Sequence, residues 1–344
     1  MANKLSEFEN MRGIAILSVV IIHVTAGATI AYTPESISYY FYNIVNSFLQ
    51  FAVPLFLFIS SVILCWKVSQ EDKTPLLLFY RKRLRGVVFP YLLWSFLYIA
   101  LKLVLYRDRS MLSWSFLGKE LLNGTAFYHL YFLLIIMQLY LFLPFIKMLL
   151  QKMKFTHVCI LTVILQVGFY YLNKNWIYQI YPYPANLLGS YFSVSIIGSW
   201  IGLNYEKVKI VLLQGKGYFW ILHLLFVTLF IFINIKLRMG ASVGLIAYYG
   251  IYHLFVLAAS VSILLFTLLR QRQFLESFGE HSFSIYLVHP FFLAFWQYLW
   301  QAVGFVTNGH LFYLCGFIFT IILSYVVSFV FAKWRILGRI FLTR

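Results

Sequence analysis

The chain is dominated by long apolar runs that short polar connections separate. Each run is close to the ~20 residues that a helix needs to cross a bilayer, and proline, glycine or asparagine marks most of the connections. The pattern shows no soluble domain at either end and therefore predicts a single integral-membrane domain over residues 1–344. We predict an all-α polytopic membrane protein with about ten transmembrane helices, over residues 11–31, 41–65, 87–106, 128–149, 157–172, 187–203, 218–235, 244–268, 282–302 and 312–333.

The first apolar run has one alternative interpretation, a cleavable signal peptide. Basic residues precede it and small residues follow it, as in such peptides. However, Glu7 and Glu9 reduce the positive charge at its start, and His23 interrupts the apolar stretch. Because nine more spans follow, cleavage would still leave a membrane protein, and a retained helix is the better prediction.

Composition and charge support the membrane class and give an orientation. Hydrophobic residues make up 62% of the chain and charged residues only 11%, with a mean hydropathy of +0.84. The formal net charge of +17 does not indicate nucleic-acid binding, because the basic residues lie between the spans. If the N-terminus is inside, the connections 66–86, 148–156, 204–217 and 269–281, together with the termini, hold about twenty of the 27 lysines and arginines. This bias predicts that both termini are cytoplasmic.

All ten aspartate and glutamate residues lie in connections or at the ends of spans. A transporter coupled to protons or sodium usually needs a carboxylate near the middle of the membrane. The same placement leaves no obvious Ser-His-Asp triad, and the three widely separated cysteines form neither a metal-ligand spacing nor a disulfide framework. We therefore expect neither ion-coupled transport nor a metal centre.

Arg12 and His23 bracket the first span. Their separation is about three helical turns, so the two side chains lie within about 20° of one face and about 16 Å apart along the axis. In the predicted topology Arg12 lies at the cytoplasmic edge and His23 near the bilayer midplane, where an ionisable group is costly and by default functional. The structural alternatives are a snorkelling anchor for Arg12 and a packed core residue for His23.

A second polar position lies in the ninth span, at His289. Tyr286 is three residues earlier and shares a face with it, so the pair is able to line an interior cavity. Pro290 has no amide hydrogen, so the carbonyl of Tyr286 loses its helical bond and needs another partner in the membrane. Catalytic support and a purely structural role are both open for these two residues.

The strongest run of charge comes just before the third span and contains Arg81, Arg83 and Arg85. One interpretation is a cytoplasmic anchor that pairs with the head groups of anionic lipids. The other is a grip on phosphates, which the forked donors of arginine suit, with a nucleotide or coenzyme A as the natural ligand. Both interpretations can hold together.

Several motifs together resemble the integral-membrane acyltransferase 3 family. The resemblance is carried, in the family's order, by Arg12-Gly-Ile-Ala with His23 after it, Phe56-Leu-Phe-Ile-Ser60, the basic run leading to Pro90-Tyr91, His129-Leu-Tyr-Phe-Leu133, and Ser284-Ile-Tyr-Leu-Val-His-Pro290. Each motif is weak alone, but five in order cover nearly the whole chain.

The resemblance implies a membrane O-acyltransferase of the bacterial cytoplasmic membrane. Such an enzyme moves an acyl group, acetyl or succinyl, from cytoplasmic acyl-CoA to a hydroxyl of an extracytoplasmic polysaccharide or glycolipid. The resemblance also implies catalytic roles for His23 and Arg12, with His289 and Tyr286 as further candidates. The implied cofactor-binding residues are Arg81, Arg83, Arg85 and Ser60. Without a fused extracytoplasmic domain, the chain is similar to stand-alone members that modify exopolysaccharide.

Other functions fit the same composition. A non-enzymatic exporter or flippase of a lipid-linked saccharide would also suit many spans, many tyrosines and a basic rim. A membrane receptor or scaffold would need neither His23 nor Arg12 for chemistry. For the enzyme, His23 acts either as a general base or as a nucleophile that carries the acyl group, and the sequence leaves both open.

Overall fold

A computed structural model describes residues 5–70, 76–307 and 309–333, apart from the side chains of residues 68–70, 76, 77 and 82. Over these ranges the chain forms helices and short connections, with no β-strand. The α-helices are α1 (Ser6–Thr25), α2 (Ala28–Ala31), α3 (Ile37–Leu49), α4 (Ala52–Gln70), α5 (Leu76–Tyr106), α6 (Trp114–Asn123), α7 (Tyr131–Leu150), α8 (Phe155–Leu172), α9 (Tyr178–Ile180), α10 (Phe192–Leu203), α11 (Tyr205–Gln214), α12 (Lys216–Arg238), α13 (Leu245–Leu269), α14 (Gln273–Ala302) and α15 (His310–Lys333).

Each of the ten predicted spans falls on a helical part of the chain. Among the described residues, eight helical segments are long and apolar enough to cross a membrane. Two predicted spans are not among these eight. The sixth corresponds to a shorter apolar stretch, Leu188–Leu203, and the ninth to α14, which contains glutamates and histidines and is more polar. The prediction of an all-α polytopic membrane protein is confirmed. The number of crossings and the location of the termini stay predictions.

Three of the predicted cytoplasmic connections are largely helical where the structure describes them. α5 already begins at Leu76 and α14 at Gln273, and the connection 204–217 contains α11. An apolar run shows which residues lie in the membrane, but it does not show where the helix ends. Lysine, arginine and leucine all favour the helix, so a helix that contains them continues beyond the membrane boundary. These connections between the predicted spans therefore contain helix rather than loop over most of their described residues.

The second predicted span, 41–65, consists of two helices, because the chain leaves the helical path between α3 and α4 at Gln50 and Phe51. Pro54 explains the break. It has no amide hydrogen to donate to the carbonyl of Gln50, and its ring would clash with that carbonyl in a continuous helix. In the first turn of α4 the missing amide hydrogen has no helical partner in any case, so the proline is tolerated there.

The described residues divide into two compact units. Unit 1 consists of residues 5–59 and 206–333, and unit 2 of residues 60–205. In unit 1, α1 is central and contacts α3, α13, α14 and α15. In unit 2, α7 packs against α5 and α10, and α8 packs against α10. The single integral-membrane domain over residues 1–344 stays a prediction.

In unit 1, α1 and α14 approach each other backbone to backbone at two glycines, and we call this contact the glycine seam. A Cβ atom at Gly13 would overlap the carbonyl oxygen of Leu275, and one at Gly279 would overlap the carbonyl oxygen of Glu9. Small residues allow such an approach in membranes, where packing holds helices together. Both positions therefore require glycine.

Unit 2 contains a segment without α-helix, residues 181–191, in which two glutamines bond to the backbone. Two short 3-10 helices, Pro184–Asn186 and Leu188–Tyr191, make up most of it. Gln138 of α7 donates to the carbonyl of Asn186 at 2.8 Å and accepts from the amide of Leu188 at 2.9 Å. Gln166 of α8 bonds in the same way to one carbonyl in the segment and to one amide at the start of α10, both at 3.0 Å. At membrane depth such backbone groups are costly unless another group satisfies them.

Candidate active site

His23 and His289 stack on each other in unit 1. Their ring centroids are 5.4 Å apart and their planes differ by 26°. His23 lies near the end of α1 and is half-buried, whereas His289 lies inside α14 and is fully buried. Each histidine comes ten residues after a glycine of the seam, Gly13 or Gly279. The close contact of the two backbones therefore places the two imidazoles beside each other.

Pro290 and Tyr286 determine the orientation of the His289 ring. Pro290 lies inside α14 and donates no hydrogen bond to the carbonyl of Tyr286. The Nδ1 atom of His289 takes this place, 2.8 Å from the Tyr286 oxygen and 3.1 Å from the Ile285 oxygen. Since a carbonyl only accepts, Nδ1 carries the hydrogen, and the lone pair of the neutral ring lies on Nε2.

Tyr286 also packs near the pair. Its side chain is buried, and its ring centroid lies 6.1 Å from that of His289. The structure thus brings three of the predicted site residues together: His23, His289 and Tyr286. Their catalytic roles stay predictions.

Arg12 lies about three turns before His23 on nearly the same face of α1. Its Nη1 atom donates to Oε1 of Glu9 at 2.9 Å, and the arginine side chain is 31% exposed. A guanidinium has five N–H donors, so this ion pair engages one of them and fixes the direction of the group. Glu9 is not among the predicted site residues, although an acid three residues before an arginine on a helix is a recognisable pairing signal.

The predicted cofactor-binding residues all lie in unit 2. Ser60 is half-buried in α4. Arg81 and Arg85 are exposed and, four residues apart, lie on one face of α5, whereas Arg83 lies on the opposite face. The basic run is therefore not one cluster, and a ligand beside α5 meets Arg81 and Arg85 together.

A protein-family model described as an acyltransferase domain matches residues 5–329. The chain belongs to this acyltransferase family. The match confirms the family resemblance of the motifs, and with the apolar helices it makes the protein a membrane acyltransferase. No curated protein and no solved structure matches the chain. The stand-alone exopolysaccharide subtype stays a prediction.

In this acyltransferase, the paired imidazoles of unit 1 are suited to proton transfer. An imidazole exchanges its proton near neutral pH, and two stacked rings do not both become cationic at low cost because like charges repel. The pair can therefore take one proton from a hydroxyl and return it. Within the part of the chain that the structure describes, no three His, Cys, Asp or Glu side chains come together as metal ligands do.

The sequence did not reveal the part that Gly13 and Gly279 have in bringing α1 and α14, and with them the two imidazoles, together. Gly13 is the glycine of the Arg-Gly-Ile-Ala opening, and Gly279 lies ten residues before His289. A glycine inside an amphipathic or apolar helix is a signal for close packing. From sequence, Gly279 was instead expected at a connection between spans, which its position inside α14 contradicts.

Proposed function

We propose that this membrane acyltransferase moves an acyl group, acetyl or succinyl, from cytoplasmic acyl-CoA to a hydroxyl of an extracytoplasmic polysaccharide or glycolipid. The stacked pair of His23 and His289 is the observation that carries the proposal. A sugar hydroxyl is a poor nucleophile at neutral pH, and a base within hydrogen-bond reach accelerates its attack, typically by ~10²–10⁴.

His23 is the proposed general base. As the sugar oxygen bonds to the thioester carbonyl carbon, His23 takes the hydroxyl proton. When the carbon–sulfur bond breaks, the sulfur of coenzyme A leaves with the electron pair and receives the proton from His23. The products are the acylated sugar and free coenzyme A, and His23 is neutral again.

His289 is proposed as a positioning residue for His23. Two backbone carbonyls hold its Nδ1 atom, so the orientation of its ring is fixed. Stacking against this fixed ring limits the rotation of the half-buried His23. Tyr286 contributes the nearer of the two carbonyls.

Arg12 is the proposed ligand of a coenzyme A phosphate in unit 1. Its backbone position is about 16 Å along the helix axis from that of His23, a distance that an extended pantetheine arm is able to follow. Glu9 orients the guanidinium and leaves further donors for a phosphate. Cofactor binding by Arg81, Arg83, Arg85 and Ser60 in unit 2 stays a prediction.

The proposal is tested with the purified protein in lipid nanodiscs. Acetyl-CoA or succinyl-CoA is supplied with candidate glycans, coenzyme A release is followed with a thiol reagent, and the acylated glycan is detected by mass spectrometry. His23→Ala is expected to lower the turnover by ~10²–10⁴, because the base is lost.

His223→Ala is the matched control, since His223 is a half-buried histidine within α12 of the same unit. This variant should keep the turnover of the parent protein. Equal turnover in His23→Ala and the parent protein would show that His23 is not the base.

A covalent route through acyl-His23 is distinguished by incubation with labelled donor and no acceptor. Label on a peptide that contains His23 supports the covalent intermediate. Absence of label, together with normal transfer when acceptor is added, supports direct transfer.

The exporter remains the competing function, and membership of the acyltransferase family favours the enzyme. Cells that carry His23→Ala should export the polysaccharide without its acyl decoration. Loss of export with unchanged decoration of the remaining polymer would support the exporter instead.

A further inference from the structure

Three aromatic rings form a compact cluster in unit 1, at the end of α1 that lies beyond His23. Tyr32 follows α2, Tyr42 belongs to α3, and His310 begins α15. The ring of Tyr32 lies 5.4 Å from those of Tyr42 and His310, and Tyr42 lies 5.6 Å from His310. The interplanar angles are only 8°, 20° and 17°, so the three rings are nearly parallel. We call this group the ring platform.

Hydrogen bonds fix the platform in place. The hydroxyl of Tyr42 lies 2.9 Å from Nδ1 of His310, and the hydroxyl of Ser38 lies 3.1 Å from its Nε2. Both ring nitrogens are thus held, while the residue as a whole is exposed. Tyr32 is half-exposed, while Tyr42 is buried. The platform therefore needs little ordering before it binds a ligand.

Its location relates it to His23. The backbone stays helical from α1 through Ala26 and Gly27 into α2, so Tyr32 lies about 13 Å beyond His23 along the axis. Arg12 lies on the other side of His23 along the same helix. The orientation predicted from loop charge puts the Tyr32 end outside the cell.

We propose that the ring platform of Tyr32, Tyr42 and His310 binds a pyranose unit of the extracytoplasmic glycan acceptor. A pyranose has an apolar face of C–H groups, which stacks on the negative face of an aromatic ring, and hydroxyls at its rim that hydrogen-bond to neighbouring polar groups. The proposal rests on the proposed function for its acceptor. Because of the 13 Å separation, the sugar on the platform is a neighbour of the unit that receives the acyl group.

An interfacial anchor is the alternative role for aromatic residues at this depth. Such anchors place single tyrosine or tryptophan rings among lipid head groups, as exposed Tyr298 on α14 can do. An anchor does not need the mutual stacking or the hydrogen bonds of His310, whereas both hold the rings in the fixed arrangement that the apolar face of a pyranose requires. This difference favours the sugar.

The test measures glycan binding without any coenzyme A. The protein in nanodiscs is titrated into fluorescently labelled linear hexasaccharides of glucose, galactose, mannose and N-acetylglucosamine, and anisotropy gives Kd. At least one hexasaccharide should bind saturably. Tyr32→Leu and His310→Ala should each raise Kd about 3- to 10-fold, the loss of one stacking contact. Tyr32→Phe keeps the ring and should stay within about twofold.

Tyr298→Leu is the matched control and should leave Kd unchanged, and thermal unfolding of each variant checks the fold. Saturable binding to none of the hexasaccharides, or an unchanged Kd in folded Tyr32→Leu and His310→Ala, overturns the platform. Glycan binding that depends on the platform without any acyl transfer would refute the proposed function alone; transfer with an unchanged Kd in the platform variants would refute the platform alone.

Discussion

The histidine pair of unit 1 and the segment 181–191 of unit 2 use polar side chains in opposite ways. In unit 2, Gln138 and Gln166 each bond to backbone groups through both ends of the amide. In unit 1, Nδ1 of His289 bonds to the backbone at a carbonyl that Pro290 deprives of its helical partner.

This difference suggests two roles for polar side chains within a membrane: satisfying backbone groups, and transferring protons or positioning the residues that do. Each glutamine gives one donor and one acceptor to backbone groups and so replaces missing helical bonds. In His289, by contrast, Nδ1 satisfies the backbone and Nε2 bears the lone pair of the neutral ring. Substitutions at the glycine seam or beside His289 should therefore lower the turnover. Substitutions at the two glutamines should lower the stability.

The largest effect is expected for Gly13→Ala. The added Cβ would overlap the backbone of Leu275, so α1 and α14 must separate and the two histidines lose their contact. A displacement of about 1 Å at a catalytic group costs on the order of 100-fold in turnover. Turnover of the purified variant in nanodiscs measures this loss.

Gly250→Ala is the control for this prediction, because a Cβ at Gly250 in α13 has open space around it. It should keep the parent turnover. If Gly13→Ala is folded and equally active, the seam does not position the histidines.

A smaller effect, on stability alone, is expected for Gln166→Leu. The change leaves one carbonyl and one amide of unit 2 without their bonds, and a buried unsatisfied group costs about 1–3 kcal/mol. The thermal unfolding temperature should fall, while the turnover per folded molecule stays near that of the parent.

Gln179→Leu provides the comparison, since exposed Gln179 in α9 donates only to a carbonyl four residues earlier. Its unfolding temperature should hardly change. A large loss of turnover in folded Gln166→Leu would show that unit 2 polar groups contribute to chemistry after all.

Pro290→Ala should lower turnover about fivefold, equivalent to about 1 kcal/mol for one hydrogen bond. Alanine restores an amide hydrogen that bonds to the Tyr286 carbonyl, so His289 loses its better partner and its fixed tautomer. Stability should not fall, because alanine favours the helix. Turnover and thermal unfolding are measured together.

Pro144→Ala tests whether any helix-straightening change has the same result, since Pro144 lies inside α7 of unit 2. It should leave the pH profile of turnover as in the parent protein, whereas Pro290→Ala should alter it. Identical profiles in both variants would contradict a role for the His289 tautomer.

The smallest effect is expected for the arginines of α5. If Arg81 and Arg85 bind the donor, each alanine substitution should raise the apparent KM for acyl-CoA roughly threefold, as exposed charge contacts are weak. The increase should shrink at high salt because salt screens exposed charges. Arg83 lies on the opposite face of α5, so Arg83→Ala should change KM less. If it changes KM as much as the substitutions of Arg81 and Arg85, the donor does not bind along the face that these two residues share.

The sequence predicts the helical membrane class, the Arg12–His23 spacing and the need of the Tyr286 carbonyl for a partner, since each follows from local composition or helix geometry. It does not predict which residue supplies that partner, because the choice depends on the rotamer of His289. Contacts between α1 and α14 are distant in sequence, so the stacking with His23 was not visible. Hydropathy likewise missed the helical extensions of α5 and α14, because it detects the membrane rather than the helix end.

The 26 residues from Ser6 to Ala31 form one candidate span, about 39 Å long, whereas a bilayer core is about 30 Å thick. A helix longer than the core tilts, or the surrounding lipid stretches to match it. Arg12, His23 and Tyr32 are fixed along this one rod, so the acyl-chain length of the lipid sets the depth of each. Acyl transfer should thus be fastest in membranes of one thickness, so that a change of lipid composition alone would alter the rate.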